Sequence, residues 1–229
     1  MKTCQAKSGF TLFELLTVLA LVSVLAWLLA GGADFGGGRA VALQSAQATV
    51  ANLITVARTK AATSGQPVRL LLQIDPASTV QPVRYLRYLV LQIQNGTGWQ
   101  ALAEDYLPPG VYVVPPAFAA NVSGLFAEGV SRWLKSDGSA LRSNAFHSDQ
   151  VTSEAITGGG VEQWVSLNFS PYGNIGLAGQ IVLATGRPRP PGSYATGDAP
   201  VMLDNAEAVR GLAISAYGVP ALLAGRASF

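Results

Sequence analysis

Ser8-Gly9-Phe10-Thr11-Leu12-Phe13-Glu14-Leu15-Leu16 opens an apolar run, FTLFELLTVLALVSVLAWLLA, that extends from Phe10 to Ala30. As a helix, this run spans about 30 Å, the thickness of a bilayer's hydrocarbon core. Its length and composition predict a transmembrane helix over residues 10–30, preceded by a short leader over residues 1–9. Lys2 and Lys7 lie before the run and no basic residue follows until Arg39. The positive-inside bias then puts the N-terminus in the cytoplasm and the remainder outside. Residues 31–39 read GGADFGGGR, five glycines in nine positions, which predicts a break before helix resumes.

An ordinary secretory signal also has a basic start and an apolar centre, and Ala30, Gly31 and Gly32 would suit its cleavage. Glu14 argues against that reading. A carboxylate at mid-bilayer costs about 2.5–3.5 kcal/mol, less near an interface, and neither a simple signal nor a simple anchor gains from it. A residue of that cost is by default a functional one.

The string from Ser8 to Leu16 resembles the class III signal of type IV pilins and type II secretion pseudopilins, in which cleavage follows the glycine and the acid is fifth in the mature chain. The resemblance implies that prepilin peptidase cuts between Gly9 and Phe10 and that the new amine of Phe10 is methylated. The apolar helix then stays as the assembly element of a filament. It also implies that Glu14 docks the subunit, its charge offset by the cationic amine of a neighbour.

Beyond the break, Leu43, Ala46, Val50, Leu53, Ala57 and Ala61 recur at three- and four-residue steps. They predict an amphipathic helix over 40–64, with Gln44, Gln47, Asn52 and Arg58 on the opposite face. Gly65 reads as its C-cap, and Pro67 bars continuation. Residues 66–229 read as β-rich. Strands are expected at Val68 to Ile74, Val83 to Gln94, Trp99 to Leu102, Gly110 to Val114, Val161 to Phe169, Gln180 to Ala184, Val209 to Ala216 and Val219 to Leu223. Asn95-Gly96-Thr97-Gly98 marks a hairpin between the second and third. In Val161 to Phe169, alternate residues from Val161 to Phe169 share one face. Ala117 to Gly160 is richer in Ser, Asn and Gly and reads as a long excursion with a weak helical stretch around Leu125 to Lys135. The expected fold is α+β: a filament helix, then an extracytoplasmic head over 40–229 in which the amphipathic helix packs on a largely antiparallel β-sheet.

Several strings in the head are similar to landmarks of the GspH/FimT-type minor pseudopilins. They are Ala57-Arg58-Thr59-Lys60-Ala61-Ala62 followed by Gln66-Pro67-Val68-Arg69-Leu70, then Leu107-Pro108-Pro109-Gly110-Val111, Leu167-Asn168-Phe169-Ser170-Pro171-Tyr172-Gly173 and Ile214-Ser215-Ala216-Tyr217-Gly218. The glycine-rich break and the lack of a proline late in the first helix depart from that pattern. The resemblance implies a structural subunit of a type II secretion pseudopilus or its tip, anchored once in the bacterial inner membrane with a periplasmic head. Its implied partners are prepilin peptidase, other pseudopilins or pilins, the inner-membrane assembly platform and a secreted protein substrate. The alternatives are a type IV pilus minor pilin serving adhesion or DNA uptake, and a signal-anchored enzyme.

The residues offer little for catalysis. Cys4 lies ahead of the apolar run and His147 is the single histidine, so a Cys–His pair is ruled out once the leader is cut. Asp198 and Asp204 flank a loop but lack the spacing of a calcium cage. No enzyme activity, cofactor or metal is expected. Without Lys2 and Lys7, basic and acidic residues balance at thirteen each, so no overall field draws in nucleic acid. Within Gly186-Arg187-Pro188-Arg189, Arg187 and Arg189 could touch adjacent phosphates, resembling a basic element of DNA-binding FimT-like pilins. Two cations supply only a weak, salt-sensitive contact, and DNA is not an expected partner.

Overall fold

A computed structural model describes residues 12–32, 37–77, 82–119, 124–127, 129–156 and 160–229. Internal packing divides the chain after Ala40, and the two units are taken in turn. The first contains α1 (Leu12–Gly32). Its ten large apolar side chains from Leu12 to Leu25 are each 54% to 82% exposed. Such a helix, apolar on every side, has no face for its own chain to bury.

The hydroxyls of α1 are satisfied within the helix. Thr17 Oγ1 donates to the carbonyls of Phe13 and Glu14, both at 2.9 Å, and Ser23 Oγ donates to Leu19 at 2.8 Å. Helix also enters the glycine-rich stretch from both sides. α1 runs to Gly32 and α2 (Gly37–Ser64) starts three residues before position 40. The centre of the expected break, residues 33–36, lies outside the described residues.

In the head, α2 buries Leu43, Ala46, Val50, Leu53, Ala57 and Ala61 as the periodicity predicts, together with Ile54. By length and hydropathy α2 could also cross a membrane, but this buried stripe makes it the core helix of the head. Gly65 caps it at φ 65°, its N–H donating to Ala61 O at 3.0 Å. Gln47 corrects the expectation of an exposed polar face. It lies one turn from Leu43, is 3% exposed, and its Nε2 donates to Gly211 O at 2.6 Å and Leu223 O at 2.9 Å. A buried amide is tolerated because it meets backbone carbonyls.

The strands are β1 (Val68–Gln73), β2 (Tyr88–Asn95), β3 (Gly98–Tyr106), β4 (Val111–Val113), β5 (Val151–Ala155), β6 (Val161–Phe169), β7 (Gly179–Pro188), β8 (Val201–Leu203), β9 (Val209–Ile214) and β10 (Pro220–Ala224). They form two five-stranded sheets, not one. The first has order β3-β2-β1-β6-β5. The second has order β10-β9-β7-β4, with β8 also paired to β7. Every named pairing is antiparallel, so the chain has the α+β architecture of a helix followed by an antiparallel β head.

The expected strand from Val83 begins late, because Pro82–Arg84 forms a 3₁₀ turn. Leu86 follows at φ 57°, the one non-glycine at positive φ among the described residues. Its N–H donates to Gln73 O at 3.0 Å and its carbonyl accepts from Val113 N at 2.8 Å. Leu86 thus links the two sheets through its backbone, at a conformational cost of about 1–2 kcal/mol.

The excursion from Ala117 is more built-in than its composition suggests. Its only helical turn between Leu125 and Lys135, among the described residues, is Val130–Arg132. Trp133, Leu141 and Phe146 are buried. Ser143 Oγ accepts from Val182 N at 3.0 Å, Asn144 Oδ1 from Gln180 N at 2.7 Å, and Ala145 N donates to Gln180 O at 3.0 Å. This segment therefore lies along β7. A Cβ at Gly179 would stand 2.5 Å from Ala145 Cα, which is why glycine begins that strand.

Replacing Gln47 with Met should destabilise the full chain in detergent micelles by about 2 kcal/mol, since two carbonyls lose a donor. Gln47→Glu should cost more at neutral pH, because a carboxylate would face those same carbonyls. Urea unfolding followed by tryptophan fluorescence measures both.

Candidate functional site

Glu14 lies on the first turn of α1 and is the helix's acid. Phe10 and Gly9, the expected methylation and cleavage positions, lie outside the described residues. Phe10 precedes Glu14 by four residues in the sequence, the spacing of about one helical turn. From Glu14 onward the described side chains as far as Ala26 are all exposed. The arrangement is an acid at the head of a long apolar rod, suited to insertion in lipid and to side-by-side packing.

The head's candidates are separated from one another by their local partners. Arg187 lies in β7, 67% exposed, with Nε 3.4 Å from Asp204 Oδ1. Arg189 instead folds onto its own loop, donating from Nη1 to Ala199 O at 3.3 Å and from Nη2 to Ser193 O at 3.1 Å. Its guanidinium also lies over Tyr194, 5.0 Å from the ring centre. The two arginines are not displayed as a free pair for phosphates. Asp204 is held by Arg187, and no group of three His, Cys, Asp or Glu side chains gathers among the described residues. His147 is half-buried before a short 3₁₀ turn.

Residues 4–30 match the prokaryotic N-terminal methylation motif. The chain carries the prepilin-type N-terminus of the type IV pilin and pseudopilin superfamily. The match covers most of α1 and the residues just before it, and α1 is one apolar helix that fits a single-pass anchor. No curated protein matches it significantly in sequence. Among solved structures, the minor pseudopilin EpsH from the Type 2 Secretion System of Vibrio cholerae is similar at 17% identity over 80% of this chain and 95% of that one, with a TM-score of 0.37. That likeness is too slight to bear on the head's role.

The prepilin-like chain also holds a buried polar cluster that its sequence pattern does not announce. On β6, Val165, Leu167 and Phe169 are buried as alternation predicts, but Val161 is exposed and Glu162, Trp164 and Ser166 on the other face are buried too. Around them, Arg69 donates from Nη2 to both Glu154 carboxylate oxygens at 2.7 and 2.6 Å and from Nε to Gln92 Oε1 at 2.8 Å, and lies 4.1 Å over the ring of Trp99. Arg84 lies 3.7 Å from Glu162 and 4.6 Å over Tyr88. Tyr88 stacks on Tyr106 and its hydroxyl donates to Glu104. Burial, then the Glu104 carboxylate, pushes the Tyr88 phenol well above its usual range. All these groups are paired within the head, and the cluster reads as structural. In the sequence these arginines and acids are scattered singly over β1, β3, β5, β6 and the turn at Arg84, and only the pairing of distant strands joins them.

Arg69→Met should cost about 2 kcal/mol of stability by leaving the Glu154 carboxylate unpaired, and Arg69→Met/Glu154→Gln should recover at least half of it. A double-mutant cycle in urea checks both values.

Proposed function

We propose that this chain is a non-enzymatic minor pseudopilin, a structural subunit of a type II secretion pseudopilus or its tip. The observation that carries the reading is Glu14 at the start of an apolar helix without a buried face, inside a segment that matches the N-terminal methylation motif. Prepilin peptidase cuts between Gly9 and Phe10 on the cytoplasmic side of the inner membrane, and the amine of Phe10 is methylated. The mature subunit remains a single-pass protein with its head in the periplasm.

Assembly follows from the electrostatics. In the membrane, Glu14 keeps its carboxylate near the interface. In the filament, it meets the Phe10 amine of a neighbouring pseudopilin, and the pairing offsets desolvation of both groups. The residues from Leu12 to Leu29 supply apolar packing between helices. The inner-membrane assembly platform extracts the subunit, and the head faces other subunits or the secreted protein. The minor-pseudopilin assignment, rather than a type IV pilus role, rests on the resemblance of the head's strings to the GspH/FimT type.

Gly9→Val should leave the leader attached when the chain is coexpressed with prepilin peptidase, as read by intact mass; normal processing would sink the assignment. Glu14→Ala should be cut and methylated normally but should fail to crosslink into filaments. Incorporation at the wild-type level would remove the docking role of Glu14 while leaving the processing site in place.

A further inference from the structure

The ends of β4, β7 and β8 and the turn before β2 enclose a cleft of about 430 Å³. Pro109, Pro188, Pro191, Pro200, Tyr112 and Tyr194 give it flat apolar walls, and Arg87 and Arg189 enter the same lining. Four prolines and two tyrosines form rigid surfaces that lose little freedom when a ring stacks on them.

The two guanidiniums set its charge. Arg87 is 9% exposed, donates from Nη2 to Leu107 O at 2.7 Å, and lies 5.6 Å from the Tyr112 ring centre; its Nε has no hydrogen-bond partner. Arg189 is steered by the carbonyls of Ala199 and Ser193 and by Tyr194. Neither pairs with a carboxylate among the described residues. Asp204, whose charge reaches Tyr112, is engaged by Arg187. Two cations held by carbonyls and rings in an apolar cleft leave an unanswered positive charge. An anion entering there gains charge-assisted hydrogen bonds in a poorly hydrated setting.

We propose that this cleft binds the C-terminal aromatic residue of a peptide, its ring against the prolines and tyrosines and its terminal carboxylate between Arg87 and Arg189. The volume suits one aromatic residue bearing its own carboxylate, whereas an internal acidic residue would bring chain in both directions. A nucleic-acid strand needs cations open along its backbone, and Arg87 is nine-tenths buried. The assignment is independent of the machine in which the chain serves.

The full chain in detergent micelles can be titrated with N-acetyl-para-fluorophenylalanine and followed by fluorine NMR line width against empty micelles. Binding is expected with Kd on the order of 1 mM, the strength typical of a ligand of that size. The corresponding amide, acetate and an oligothymidylate should each bind at least about ten-fold more weakly. Arg189→Gln and Pro191→Asp should each weaken the acid by a similar factor, while Arg132→Gln, an equal charge change outside the cleft, should not. Equal affinity for the amide, tighter binding of an internal acidic peptide or of oligothymidylate, or unchanged affinity in both cleft variants would overturn the proposal. Circular dichroism melts show whether each variant is folded; should Arg189→Gln unfold, Pro191→Asp on the exposed rim decides.

Discussion

The apolar side chains of α1 from Leu12 to Leu25 stay uncovered among the described residues, and this constraint governs the rest of the molecule. Burying a Leu, Val or Phe side chain contributes about 1.5–3 kcal/mol. Ten such residues left in water would forgo on the order of 20 kcal/mol, more than the net stability of a typical domain. The helix therefore requires a second solvent, lipid or other helices. Against that sum, the few kcal/mol cost of Glu14 is small, and so the acid does not prevent insertion. Thr17 and Ser23 add almost nothing to the cost, since their hydroxyls bond to carbonyls of the preceding turn. Glu14 is the only ionisable side chain in the described part of α1.

Within the head, polar contacts at a few points locate the layers. Gln47 ties α2 to adjacent carbonyls of β9 and β10. Further along the helix, Arg58 Nε donates to Tyr217 O at 2.9 Å. There two five-residue turns meet, Ser170 to Asn174 and Ser215 to Val219, each closed by a serine carbonyl accepting from glycine N–H at 2.8 Å. A Cβ at Gly218 would lie 2.7 Å from Gly173 O, so both turns need glycine to approach one another. Apolar burial fixes that α2 lies on the sheets, while these directional bonds fix where along them it lies.

Periodicity exposed the parts governed by burial alone. The stripe from Leu43 to Ala61, the Gly65 cap, the hairpin at Asn95-Gly96 and the extent of β6 could all be read because each depends on neighbours in sequence. Reading failed where a distant partner changed the meaning of a residue. Gln47 looks solvent-facing until two carbonyls more than 160 positions away are brought to it. Glu162, Trp164 and Ser166 look like an outer face until Arg84, the Glu154 carbonyl and the Gln150 carbonyl arrive. Leu86 has no sequence mark of positive φ, since leucine disfavours it and only the two sheet contacts hold it there. The short β5 and β8 are similarly set by the strands beside them. Glu14 stands out in the sequence because its cost is local, within an apolar run.

The arginines show how charge balance can mislead in the other direction. Balanced charge beyond Lys7 and an exposed-looking Arg187-Pro188-Arg189 suggest two solvated cations. In the fold, proline at 188 ends β7 and the chain leaves the strand directly after it. Arg187 remains on the strand with Asp204, whereas Arg189 is drawn into a loop whose carbonyls and Tyr194 orient it. One residue of separation thus divides a compensated surface cation from one whose charge is met only by dipoles and an aromatic face. Net charge sums both equally, but only the second retains attraction for an anion at short range, because a carboxylate already at 3.4 Å cancels most of the field of the first.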